Sequence, residues 1–154
     1  MNRLLIIVSI LFSISATAQR NPFTNLTEKN GKIGIGTTTP DALLTVKGKI
    51  HTQEVLVDLD GAVAPDYVFE NYFNGFSEAM PEYRLISLEE LEAFLKENKH
   101  LPNVSSAETM EVEGISLKEM NLILLQKIEE LTLYTIQQQK EIEELKSKFK
   151  NIEK

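Results

Sequence analysis

Residues 115–154 read ISLKEMNLILLQKIEELTLYTIQQQKEIEELKSKFKNIEK, and this stretch decides the architecture. Taking Leu117, Leu124, Leu131, Gln138, Leu145 and Ile152 as d, and Asn121, Ile128, Thr135, Ile142 and Phe149 as a, gives eleven consecutive seam positions, eight of them apolar. An apolar repeat of seven drifts around a straight helix, so it is satisfied when helices wrap one another in a left-handed supercoil. A helix over this length would extend roughly 54 Å at 1.5 Å per residue, more than a small domain can cover. The alternative is a long amphipathic helix folded back on its own domain.

The flanking charges favour a parallel arrangement. A g residue meets the e residue five positions on in the neighbouring helix, which pairs Glu141 with Lys146 and Lys148 with Glu153. Each exposed pair contributes only about 0.3–0.5 kcal/mol, enough to choose orientation. Ile142 at a with Leu145 at d suits two strands, while Met120 and Tyr134 at g and Leu125 at e widen the apolar face toward three. Asn121, Thr135 and Gln138 are polar seam residues that can fix register and copy number.

Working back toward the N-terminus, Ser116 and Glu119 form a capping-box pattern that opens the long helix where the heptads begin. Ser87 and Glu90 form another, ahead of a helix over Ser87–Asn98 whose apolar face is Leu88, Leu91 and Leu95, with Phe94 beside it and Pro102 barring continuation. Ser105 or Ser106 can cap a short helix that Gly114 stops. His100 is placed to cap carbonyls at the end of the Ser87 helix. Residues 61–83 carry six of the eleven aromatic residues and read as irregular. In GKIGIGTTTP, residues 31–40, Ile33 and Ile35 alternate with glycines. Leu44 and Val46 resume the alternation, and Gln53–Asp58 is a further candidate strand. Strands this short do not bury a core alone, and several copies wrapped together would remedy that.

The N-terminus has the pattern of an export signal. Asn2 and Arg3 precede the apolar run Leu4–Ile14, and Ala16-Thr17-Ala18 has the small-x-small form of a cleavage site. That run is too short to span a bilayer, and no transmembrane span is expected elsewhere. The organisation expected is a signal peptide at 1–18, a flexible leader at 19–30, a glycine-rich β segment at 31–58, an aromatic and helical collar at 59–114 and an oligomerisation helix at 115–154. The absence of cysteine leaves an exported chain without disulfides, dependent on packing and on area buried between copies. Residues 51–116 hold three basic side chains against fourteen acidic ones, which argues against nucleic acid as a partner.

GKIGIGTTTP followed by LLTVKGKI resembles the glycine-rich repeat at the base of phage tail fibres and related trimeric surface fibres. PDYVF at 65–69, YRLISLEELEAFLKENKHLP at 83–102 and ISLKEMNLILLQKIEELTLYTIQQQ at 115–139 are similar to the C-terminal module of exported tail-fibre-like proteins common in Bacteroidetes-type bacteria. In related fibres the C-terminal element holds three chains together while their β-structured shafts come into register, and the resemblance implies that role here. Relatives with long shafts carry many copies of the repeat, whereas this chain has one. The longer α/β body of self-cleaving tail-spike chaperones has no counterpart in it.

Candidate chemistry is weak by comparison. Gly31, Gly34 and Gly36 lack the third glycine of a dinucleotide fingerprint, where Thr39 stands, and the Gly-Lys-Ser/Thr of a Walker loop. Asp58, Asp60 and Asp66 lack the closing glutamate of a calcium loop and read as an acidic turn. Ser87, Ser105, Ser106 and Ser116 are explained as helix caps, and no nucleophile elbow is present. Among the collar aromatics, Tyr72 and Phe76 are candidate ligand contacts, with core packing as the alternative. The expectation is thus an α+β, non-enzymatic, exported structural protein, without cofactor or metal, forming an intertwined parallel homotrimer in the periplasm, at the surface or outside the cell. The alternative function is a surface adhesin that binds glycan or a host protein through the collar.

Overall fold

A computed structural model describes residues 23–152, which divide after Val55 into two compact units. The expected signal peptide, the first part of the leader and Glu153 lie outside the described residues.

The N-terminal unit is a three-stranded sheet in the order β1-β2-β3, built from β1 (Leu26–Lys29), β2 (Lys32–Ile35) and β3 (Leu44–Val46). β1 and β2 are antiparallel and joined by Asn30-Gly31, with φ of 54° and 76°, the left-handed pair that a two-residue hairpin turn requires. The leader expected over 19–30 is therefore structured from Leu26 onward. A strand of four polar-rich residues carried little periodicity, and the Asn-Gly turn was the signal for it. β3 runs parallel to β2, pairing Ile33 with Leu44 and Ile35 with Val46.

The connection depends on Gly36. It has φ 72°, and a Cβ there would come within 2.8 Å of the Lys47 carbonyl oxygen. Thr45, buried, closes the loop by accepting from the Asp41 and Ala42 amides and donating to Asp41 Oδ1 at 2.6 Å. That hydroxyl is the main cause holding the Asp41 carboxyl below its ordinary range. The opposite face presents Ile33, Ile35 and Leu44 exposed, with Val46 half-buried beside them. The strand expected at Gln53–Asp58 does not form. Val55, Leu56 and Val57 are exposed in irregular chain, with no neighbouring strand to take up their backbone groups.

The second unit contains four helices among the described residues: α1 (Tyr67–Asn74), α2 (Leu88–Asn98), α3 (Ala107–Glu113) and α4 (Leu117–Ile152). α1 falls in the stretch read as irregular. Its aromatic and β-branched residues are modest helix formers, yet Val68 with Tyr72 and Phe69 with Phe73 stand at the i, i+4 spacing, and Asn74-Gly75 ends it with Gly75 at φ 78°. Tyr67 and Val68 pack on Leu133 of α4, and Phe69, Tyr72, Met80, Tyr83 and Leu85 complete the core.

Helix α2 has the expected capping box in full: the Glu90 amide donates to Ser87 Oγ at 3.1 Å and the Ser87 amide to Glu90 Oε2 at 2.9 Å. Arg84 grips the same carboxylate through both terminal nitrogens, and this is the leading reason the Glu90 carboxyl is held down to about 2. The helix ends at Lys99, in the left-handed region, whose Nζ donates to the Lys96 carbonyl. His100 does not supply that cap. Its Nδ1 pairs with the Leu101 carbonyl, and its ring meets Phe94 edge-on at 5.8 Å. Ser106 caps α3, and the Glu119 amide donates to Ser116 Oγ at the start of α4.

Because Leu133 is fully buried, its replacement should be costly. Leu133→Ala is expected to lower the stability of the helical unit by about 3 kcal/mol, measured by urea unfolding followed by circular dichroism.

Candidate functional site

The long helix has two faces with different employment. Its own collar covers Gln126, Glu129, Leu133 and Tyr134, with Leu122, Ile123, Lys127, Glu130 and Gln137 half-buried. These fall at heptad positions b, c, f and g. All eleven a and d residues, Leu117, Asn121, Leu124, Ile128, Leu131, Thr135, Gln138, Ile142, Leu145, Phe149 and Ile152, are exposed. The contrast is sharpest two residues apart: Leu133 is 0 % exposed and Leu131 is 63 % exposed, about 200° around the helix from each other. The helix does lie against its own domain, but on a face other than the seam.

The polar seam residues are partly provided for within the helix. Asn121 Nδ2 donates to the Leu117 carbonyl and Thr135 Oγ1 to the Leu131 carbonyl, both at 2.8 Å. Donors spent in this way lower the cost of placing such residues between helices. From Gln138 to Ile152 every residue is exposed, including Ile142, Leu145 and Phe149. Lys148 pairs with Glu144 of its own helix at 2.6 Å.

Two of the residues expected to widen the seam are occupied elsewhere. Tyr134 is buried, and its hydroxyl donates to the Ile86 carbonyl at 2.8 Å. Met120 is half-buried beside Met110 and Ile115 in a small cleft. Leu125 remains exposed at e.

Beneath the collar runs a polar network that the sequence pattern did not reveal. Glu130 accepts from the Tyr83 hydroxyl at 3.2 Å, Gln126 Nε2 at 2.7 Å and Lys127 Nζ at 2.8 Å. Burial first, then the Glu130 charge, pushes the Tyr83 phenol far above its usual range. Tyr67 packs edge-on against Tyr83, with ring centroids 5.0 Å apart. These groups satisfy one another, so the network anchors the collar to α4. The i, i+4 and i, i+3 spacing of Gln126, Lys127 and Glu130 was visible, but the partner contributed by Tyr83 was not.

The candidate ligand residues are not brought together in one cleft. Tyr72 is half-buried on the core and edge-on to Phe73, and it lines a shallow cleft with Arg84 and Gln137 that Phe76 does not line. Phe73 and Phe76 are exposed. Asp60 and Gly61, both at positive φ, form the acidic turn, closed by the Ala62 amide on the Leu59 carbonyl. Among the described residues no group of three or more His, Asp or Glu side chains is placed to hold a metal ion, and no helix is long and apolar enough to cross a membrane. No family model, curated protein or solved structure matches this chain.

Glu129 is the unresolved charge in this face. It is 6 % exposed, and its Oε2 has no hydrogen-bond partner among the described residues. Burial, seconded by the Asp66 charge, pushes its carboxyl above the ordinary value. The folded state therefore holds this proton more tightly than the unfolded chain. The resulting stabilisation is complete below the ordinary glutamate range and is lost as pH rises through the raised value. Glu129→Gln should raise stability at pH 7 by on the order of 1 kcal/mol, a gain that shrinks on acidification, as thermal melts across pH would record.

Proposed function

We propose that this protein is a non-enzymatic structural component that assembles as a parallel homotrimer through the seam of α4. The observation that carries the reading is the division of labour on that helix. The chain's own collar packs on b, c, f and g positions and leaves the whole a/d stripe to be covered by other copies. A monomer would leave Ile128, Leu131, Ile142, Leu145 and Phe149 in water, and burying each such side chain contributes about 1.5–3 kcal/mol.

Assembly would raise the local concentration of the three β segments. The exposed face formed by Ile33, Ile35 and Leu44 is then available to pair or pack between chains. The export pattern read at 1–18 and the resemblance to tail-fibre-like proteins support a location for such an assembly beyond the inner membrane. Ile128→Asp combined with Leu131→Asp should sediment as a monomer in which α1 still docks on Leu133 while residues 138–152 lose helicity. A double variant that sediments as a trimer would overturn the reading.

The exposed Phe73 and Phe76 favour, as a second reading, an adhesin that stacks these rings on a glycan or a protein surface. In that case Phe76→Ala should abolish binding on a glycan array or in pull-down with an unchanged sedimentation profile.

A further inference from the structure

Helix α2 has the apolar face expected of a packed helix, yet none of its residues is buried. Leu88 and Leu91, with Leu101 from the following turn, form one wall of an apolar groove of about 270 Å³. The other wall is α4, through Leu131, Tyr134 and Thr135. Leu88, Leu101 and Leu131 are exposed along it. Of the α4 residues in the groove, Leu131, Thr135 and Gln138 belong to the seam itself, Lys127 and Tyr134 stand at g and Glu130 at c, so whatever covers the seam at this level also enters the groove.

The same helix supplies a complementary shape on its other flank. Leu124, Ile128, Thr132 and Ile136 stand four residues apart at d, a, e and b, form a single i±4 ridge, and are all exposed. In a parallel coil the g side of one helix faces the e side of the next. The charges above the groove agree with this: Glu141 is on the groove side and Lys146 on the ridge side, and neither forms an ion pair among the described residues. We infer that the groove receives the Ile128–Thr132–Ile136 ridge of a neighbouring copy, so that each collar clamps the next chain's rod. The inference rests on the homotrimer reading and deepens it. Each chain gives a groove to one neighbour and a ridge to the other, a head-to-tail contact that closes as a ring.

This contact would restore width that the seam loses because Tyr134 is occupied by its own collar. The wall formed by Leu88, Leu91 and Leu101 extends the covered surface outward, as far as the neighbour's b position at Ile136.

The chain has no cysteine, so engineered thiols report contacts cleanly. A chain carrying Leu88→Cys and Ile136→Cys, treated with a short bismaleimide, should give a covalent ladder ending at three copies. Within one chain the two positions lie on opposite flanks of α4, so the ladder reports contact between copies. A Leu145→Cys chain serves as the seam control. Cross-linking in the control without a ladder from the Leu88/Ile136 pair would overturn the clamp and leave the trimer standing. Failure of both, with a monomer in sedimentation equilibrium, would overturn clamp and trimer together. Independently, Leu101→Glu should weaken trimer association about tenfold, the effect of one leucine's burial, with the circular dichroism spectrum unchanged. Unaltered association would count against the groove.

Discussion

The packing of Val68 and Tyr67 onto Leu133 is the contact from which the rest of the helical unit follows. It fixes which side of a 36-residue helix belongs to its own chain. Once Leu133 and Tyr134 pack on the collar, helical geometry leaves Leu131, Ile128 and Thr135 outside that packing and exposed. A one-residue slip in this docking would bury a different stripe and destroy the separation of the two faces. The Glu130 network opposes such a slip, because Tyr83 can meet that carboxylate in only one rotation of α4.

Much of this organisation was legible in the chain, and what was not has physical causes. Capping at Ser87, Ser106 and Ser116 is local chemistry, readable from a few residues, and the helices begin where those signals stand. The heptad positions were equally readable, because a single periodicity fixes which residues share a face. α1 was not, since an eight-residue helix rich in aromatics is stabilised by what it docks on. β1 was missed for a related reason: its order comes from pairing with β2 across Asn30-Gly31. The Gln53–Asp58 alternation misled in the opposite direction, as a period of two specifies a strand only where another strand lies beside it.

For the candidate surface, sequence defined an eleven-residue a/d stripe, which the fold leaves exposed, but not what the collar would do to its neighbours. Tyr134 reads as part of a wide seam because it is large and stands at g. Only the fold reveals that its hydroxyl reaches the Ile86 carbonyl and takes the ring out of that role. Likewise, the apolar face of α2 suggested a packed helix, whereas in the fold that face borders a groove.

The uneven cover along α4 imposes a direction in time. Residues 122–137 are kept helical by the collar, whereas 138–152 form an uncovered stretch whose isolated helix would be marginal in water. The slow step of helix formation, ordering a first turn, is thus already complete at the collar within a single chain. In the proposed trimer, winding would propagate from that nucleus toward Ile152, and a collision between two frayed ends would be unproductive until their collared turns were aligned.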